Sequence, residues 1–98
     1  MIIYLAGPMS GLPDSNYPAF NAEAASLRAQ GYEVRNPAEG PECFSWADYM
    51  RNALIMMMQC DTIRLLPNWT SSKGALLEAH IAEQLGMKFV YPHQEVTP

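Results

Sequence analysis

Ser72 and Glu78 stand six positions apart in Ser72-Lys73-Gly74-Ala75-Leu76-Leu77-Glu78, shortly after the apolar run Thr62-Ile63-Arg64-Leu65-Leu66. The run reads as a strand and Ser72 as the start of a helix. At such a junction free backbone N–H groups and the helix dipole converge, which suits an anionic or sugar ligand. Glu78, one turn inside the helix, is expected beside that ligand, where a carboxylate can attack a carbon, accept a proton or simply be solvated. Ser72 has two compatible roles: an N-cap for the helix, and a contact to that ligand. A second candidate is Ala6-Gly7-Pro8-Met9-Ser10-Gly11. Its glycines fit neither the dinucleotide fingerprint nor the lysine-containing phosphate loop. They either make a tight turn or leave backbone amides open to a ligand.

These residues need elements to position them. Met1 to Leu5 reads as a first strand, ended by Gly7 and Pro8. Phe20, Ala24 and Leu27 recur at helical spacing, with Pro18 in the first turn and Gly31 as the cap. Tyr32 to Arg35 follows as a strand, then a loop from Asn36 to Phe44 that is long enough to be functional. Trp46, Met50, Ala53, Leu54 and Met57 share one face of a helix over Ser45 to Gln59. The third helix is expected from Ser72 to Leu85, burying Leu77, Ile81 and Leu85, with Gly86 as its cap and Lys88 to Tyr91 as a fourth strand. This alternation predicts a three-layer, Rossmann/flavodoxin-like α/β fold: a mainly parallel sheet of about four strands with helices on both faces. Ligands bind such a sheet at the carboxyl ends of its strands, where Gly7 to Pro13, Asn36 to Phe44 and Pro67 to Gly74 would meet.

Composition narrows the function classes. Ninety-eight residues with 49% hydrophobic content suit a single domain over 1–98, burying roughly two thirds of its unfolded surface. A net charge of −4 with six Lys and Arg argues against a nucleic acid polymer as partner. No apolar run is long enough for a membrane, and no basic leader opens the chain, so a cytoplasmic location is expected. Cys43 and Cys60 lack CxxC spacing and nearby His, and His80 and His93 lack spaced partners. Free thiols and no metal are expected. Met56-Met57-Met58 reads as adaptable core and subunit contact.

Taken in order, Ile3-Tyr4-Leu5-Ala6-Gly7-Pro8-Met9-Ser10-Gly11, Cys60-Asp61 before a strand, Ser72-x-Gly74-x-x-x-Glu78 and Ala82 to Gly86 resemble the nucleoside 2-deoxyribosyltransferase superfamily across nearly the whole chain. Leu65-Leu66-Pro67-Asn68-Trp69 with Ser72-Lys73-Gly74-Ala75 is most similar to a small subgroup common in phage and prophage genomes. The resemblance implies Glu78 as the nucleophile on the anomeric carbon of a 2-deoxyribose and Tyr4 as the phenol that orients it. It also implies Gly7, Met9, Ser10, Gly11, Ser72 and Gly74 around sugar and phosphate. Trp69 reads either as a plane for a base or as an apolar lid or subunit contact. Serine at position 72 resembles the related deoxynucleoside 5′-monophosphate N-glycosidases, tilting the expected substrate toward a nucleotide. The resemblance also implies no cofactor and a homodimer or larger homo-oligomer.

One departure stands out: the superfamily's acid, an aspartate, falls on Ala53, with Asp48 as the nearest replacement carboxyl. Two functions are therefore expected in competition. One is N-glycosidic cleavage or transfer on a deoxynucleoside or its 5′-monophosphate through Glu78. The other is a nucleotide-binding module that senses or sequesters its ligand without turnover. A purely structural oligomerising domain is the third possibility.

Overall fold

The computed structural model describes residues 1–98. Strand β1 spans Ile2–Ala6, β2 Glu33–Arg35, β3 Thr62–Leu65 and β4 Lys88–Val90; the helices are α1 Tyr17–Ala29, α2 Trp46–Met57 and α3 Lys73–Gln84. The strands form one parallel sheet in the order β2-β1-β3-β4. Register is set by pairs such as Ile3 with Val34, Ile3 with Thr62 and Ile63 with Phe89. The expected α/β architecture is therefore the observed one, with boundaries shifted by one or two residues.

Because side chains alternate along a strand, β1 feeds two cores. Ile3 and Leu5 point to the α1 side and pack with Phe20, Ala24, Leu27 and Val34. Tyr4 and Ala6 point to the α2 and α3 side and pack with Ala53, Met57, Ile63, Leu65, Ala79 and Ala82. Arg64, on the α1 side of β3, pairs with Glu23 of α1 at 3.1 Å and donates to the Tyr91 carbonyl at 2.8 Å. The chain after β4 is thereby held, and Val96 is buried in the first core.

The third helix corrects the sequence reading. Its buried face is Ala75, Glu78, Ala79 and Ala82, whereas Leu77 is 37% and Leu85 58% exposed. Alanines let the helix backbone approach the sheet closely. That approach brings Glu78 to the Tyr4 hydroxyl, a charge-assisted contact that a leucine face would replace with bulk. Leu77 and Leu85 are turned outward as a consequence, while Ile81 of the expected stripe stays partly buried against the second core.

In the order 2-1-3-4 the connections leave β1 in opposite directions, so β1 and β3 flank the switch point of the sheet. Gly7 ends β1 there because the chain after β3 crosses it closely: a Cβ at Gly7 would lie 2.8 Å from the Leu66 Cβ.

Candidate active site

Two buried side chains meet at the switch point. Tyr4 in β1 is fully buried, and its hydroxyl donates a hydrogen bond to Oε2 of Glu78, which is 3% exposed. Burial pushes the Glu78 carboxyl up to about 7, and the Tyr4 hydrogen bond opposes that rise by favouring the ionised form. Burial and then the charge of Glu78 hold the Tyr4 phenol well above its ordinary range. Tyr4 is therefore a fixed donor, and Glu78 is the group that changes charge near neutral pH.

Glu78 forms part of the floor of an open cavity of about 890 Å³. Gly7, Pro8, Met9 and Ser10 come from the end of β1, and Ser72, Lys73, Gly74 and Ala75 from the start of α3. Ser72 caps α3, its Oγ accepting from the Ala75 N–H at 3.1 Å. The hydroxyl hydrogen is not used by that bond, so capping and ligand binding are compatible. Gly74 packs closely on α2, where a Cβ would meet the Met50 Sδ at 3.1 Å. The first turns of α2 and α3 thus lie against each other along the cavity.

Of the residues singled out in the sequence, Tyr4 is joined to Glu78 by its hydrogen bond, and Gly7, Met9, Ser10, Ser72 and Gly74 share the cavity with that carboxylate. Two lie elsewhere. Gly11 is just beyond the lip, in left-handed conformation at φ 78°. Trp69 lies in the short 3₁₀ turn Trp69–Ser71, outside the cavity lining. It packs beside the second core, its ring 6.3 Å from that of Tyr91. Asp48 also falls outside the cavity, paired on the surface with Arg51 at 3.1 Å. Ala53 is 3% exposed and fills the core beside Tyr4. No three His, Cys, Asp or Glu side chains gather into a metal-binding group.

The sequence reading missed the wall contributed by α2, where Trp46 and Tyr49 line the cavity. Trp46 has the period of the core face, yet it is 40% exposed and carries the Lys73 ammonium 4.1 Å from its ring centroid. The available signal was Ser45, whose Oγ accepts from the Asp48 N–H at 3.0 Å. That cap marks where α2 begins, and two aromatics in its first turn follow a loop already placed at the ligand edge.

The arrangement can hold a small polar ligand between glycine-rich backbone and two helix starts, with one buried, titratable carboxylate in reach. Comparison with solved structures gives a 2-desoxiribosyltransferase from Leishmania mexicana, with a TM-score of 0.72 and 22% identity over 92% of this chain. This chain spans 62% of the length of that one, and the likeness is one of fold. No curated protein matches the sequence. A family model matches residues 1–91, and the chain therefore belongs to the DUF4406 family, described as a domain of unknown function.

Proposed function

We propose that the protein cleaves or transfers the N-glycosidic bond of a deoxynucleoside or its 5′-monophosphate, with Glu78 as nucleophile. The observation that carries this reading is the buried Tyr4–Glu78 pair on the floor of a cavity at the switch point of the sheet. A carboxylate held off water and fixed by one donor is poorly solvated as an anion, which favours attack on carbon. The fold likeness to a 2-desoxiribosyltransferase and the motif resemblance around Tyr4, Gly7 and Glu78 support the same chemistry.

In the first step a Glu78 carboxylate oxygen bonds to C1′ of the sugar while the C1′–N bond breaks, the electron pair leaving with the base. The resulting ester is opened in the second step by water, for hydrolysis, or by a second base, for transfer. Ser72 and the free N–H groups at the start of α3 would bind the 5′-phosphate, and Lys73 stands at the same mouth. Glu78 must be ionised to attack, so the rate should rise with pH through about 7.

Base release from a panel of deoxynucleosides and their 5′-monophosphates, followed by chromatography, tests this reading. The expected result is release by the native protein that falls at least about 10³-fold in Glu78→Ala, with monophosphates preferred. A native protein that releases no base overturns it.

One observation favours a second reading. Ala53 fills the core where the resemblance implied an acid, so a nucleotide-binding module without turnover fits the same cavity. A ligand-induced rise in the unfolding midpoint without base release would support that alternative.

A further inference from the structure

We infer that Tyr49 donates the proton that the departing base takes up. The inference rests on the glycosidic reading above and assigns a residue to a step that Glu78 and Tyr4 leave open. A nucleobase leaving with the electron pair of the C1′–N bond needs a proton, and Tyr4 cannot supply it because its hydroxyl is committed to Glu78 beneath the cavity.

Of the other hydroxyl, thiol and ammonium groups of the cavity, Tyr17 is the second phenol, and it is 39% exposed. Ser45 and Ser72 accept hydrogen bonds as helix caps and keep a free O–H, but the alkoxide left after donation would be far more basic than a phenolate. Ser71 and Cys43 donate to the carbonyls of Asn68 and Pro41. Lys73 sits over the Trp46 ring, and the serines of the β1 loop lie on the exposed rim.

Tyr49 differs from all of these. Its ring is half-buried against the core that holds Tyr4 and Ala53, yet it lines the same cavity as Glu78. The hydroxyl makes no hydrogen bond within the chain, and every unpartnered polar atom of a covered side chain retains contact with solvent space. On a residue of the cavity wall, that unpartnered hydroxyl is free to donate to a ligand. Its position is fixed by packing: the Gly74 Cα hydrogen faces Met50 and Trp46, so the first turn of α3 is pressed against the turn of α2 that carries Tyr49. From there Tyr49 meets the ligand from the α2 wall, while Glu78 reaches it from the floor.

Burial and then the charge of Glu78 hold the Tyr49 proton in place in the resting site. That second influence disappears when Glu78 becomes an ester, at the moment the proton has to leave. The step balances as follows. Glu78 Oε bonds to C1′, the C1′–N pair passes to the base, and the Tyr49 O–H proton moves to a base nitrogen or oxygen, leaving a phenolate. Water then attacks C1′, the ester pair returns to Glu78, and the proton of the water restores Tyr49.

The test uses leaving groups that differ in their need for a proton. Native protein and Tyr49→Phe are assayed on 2′-deoxyguanosine and its 7-methyl derivative, and on 2′-deoxyuridine and its 5-fluoro derivative, each also as the 5′-monophosphate. The 7-methyl base carries a positive charge and leaves without protonation, and 5-fluorouracil leaves more readily than uracil. Tyr49→Phe should lose about 10²-fold or more on the unmodified substrates, retain the 7-methyl rate within about threefold, and show an intermediate loss on the 5-fluoro substrate. Equal losses on all leaving groups, or no loss on any, with native release intact, would overturn the role of Tyr49 alone. Absence of native release from every substrate would overturn the glycosidic reading and this inference with it. An unchanged unfolding midpoint for Tyr49→Phe is expected.

Discussion

The two faces of the sheet are built from alternate residues of the same strand and carry different kinds of interior. On the α1 side, Ile3, Leu5, Phe20, Leu27 and Val34 interlock as large apolar side chains. On the α2 and α3 side, alanines at 6, 53, 79 and 82 leave room for Tyr4 and for the one carboxylate in the buried set, Glu78. A face packed with bulk gains stability from every side chain. A face packed with small residues lets two helix starts crowd one strand end, and it can hold a charge that costs stability. The comparison separates a wholly apolar core on one side from a core on the other that also encloses the titratable pair.

The strongest way to break that comparison is to damage the α1 side. Phe20 is 1% exposed, and Phe20→Ala should cost about 3–5 kcal/mol of unfolding free energy through lost burial and a residual cavity. Chemical denaturation measures the loss. Base release per folded molecule should stay unchanged; a parallel fall in both would show that the two faces are not separable.

How much of this was legible in the sequence follows from the same contrast. The bulky α1 face declared itself, since Phe20, Ala24 and Leu27 recur at the helical period and all three are buried. The opposite face did not. Leu77, Ile81 and Leu85 recur just as regularly, and hydrophobic period alone cannot reveal that a helix prefers to present Ala75, Ala79 and Ala82 because close approach secures the Tyr4–Glu78 hydrogen bond. The tryptophans exchanged places for a related reason. Period tells which residues share a face, not where along the helix that face leaves the core. Trp46 is in phase with Met50 and Met57 but one turn beyond the covered stretch, so it lines the cavity. Trp69 lies in a polar segment, yet the 3₁₀ turn folds it back onto Tyr91. Glu78, Tyr4, Ser72 and the loop glycines were legible as candidates because their types and order carry chemistry, whereas Tyr49 needed the packing of α2 on α3.

A second effect, slightly smaller, sharpens the claim that the charged face costs stability. The Glu78 carboxyl has an ordinary value of 4.5 and is raised to about 7 in the folded chain. Between those values the folded state keeps a proton that the unfolded state has released, so stability falls as pH rises across the interval. Above about 7 the full cost applies, on the order of 3 kcal/mol. Glu78→Gln removes the charge and retains the shape. Relative to the native protein it should gain about 2–3 kcal/mol at pH 8 and roughly nothing at pH 4.5, measured by unfolding at both values. A variant less stable than the native protein at pH 8 would mean that the Tyr4 bond outweighs the burial of the charge.

The smallest effect separates what Tyr4 does by charge from what it does by position. Its hydrogen bond lowers the Glu78 value against the rise from burial. In Tyr4→Phe the carboxyl should therefore titrate at higher pH, and the acid limb of the rate profile should move up with it. A hydrogen bond to a charged group contributes about 1.5–3 kcal/mol, so base release at pH 6 should fall about tenfold or more. At about pH 10, one to two units above the shifted value, Glu78 is ionised in both proteins and a donor that acts only through charge leaves the plateau near its native level. A donor that also fixes the carboxylate rotamer leaves the plateau depressed at every pH. Because Tyr4 is enclosed on all sides by the alanine-rich core and Phe preserves its ring, we expect the limb to shift and most of the plateau to survive. In that outcome the small-residue face positions the nucleophile by packing, and the phenol sets the pH at which it is ready.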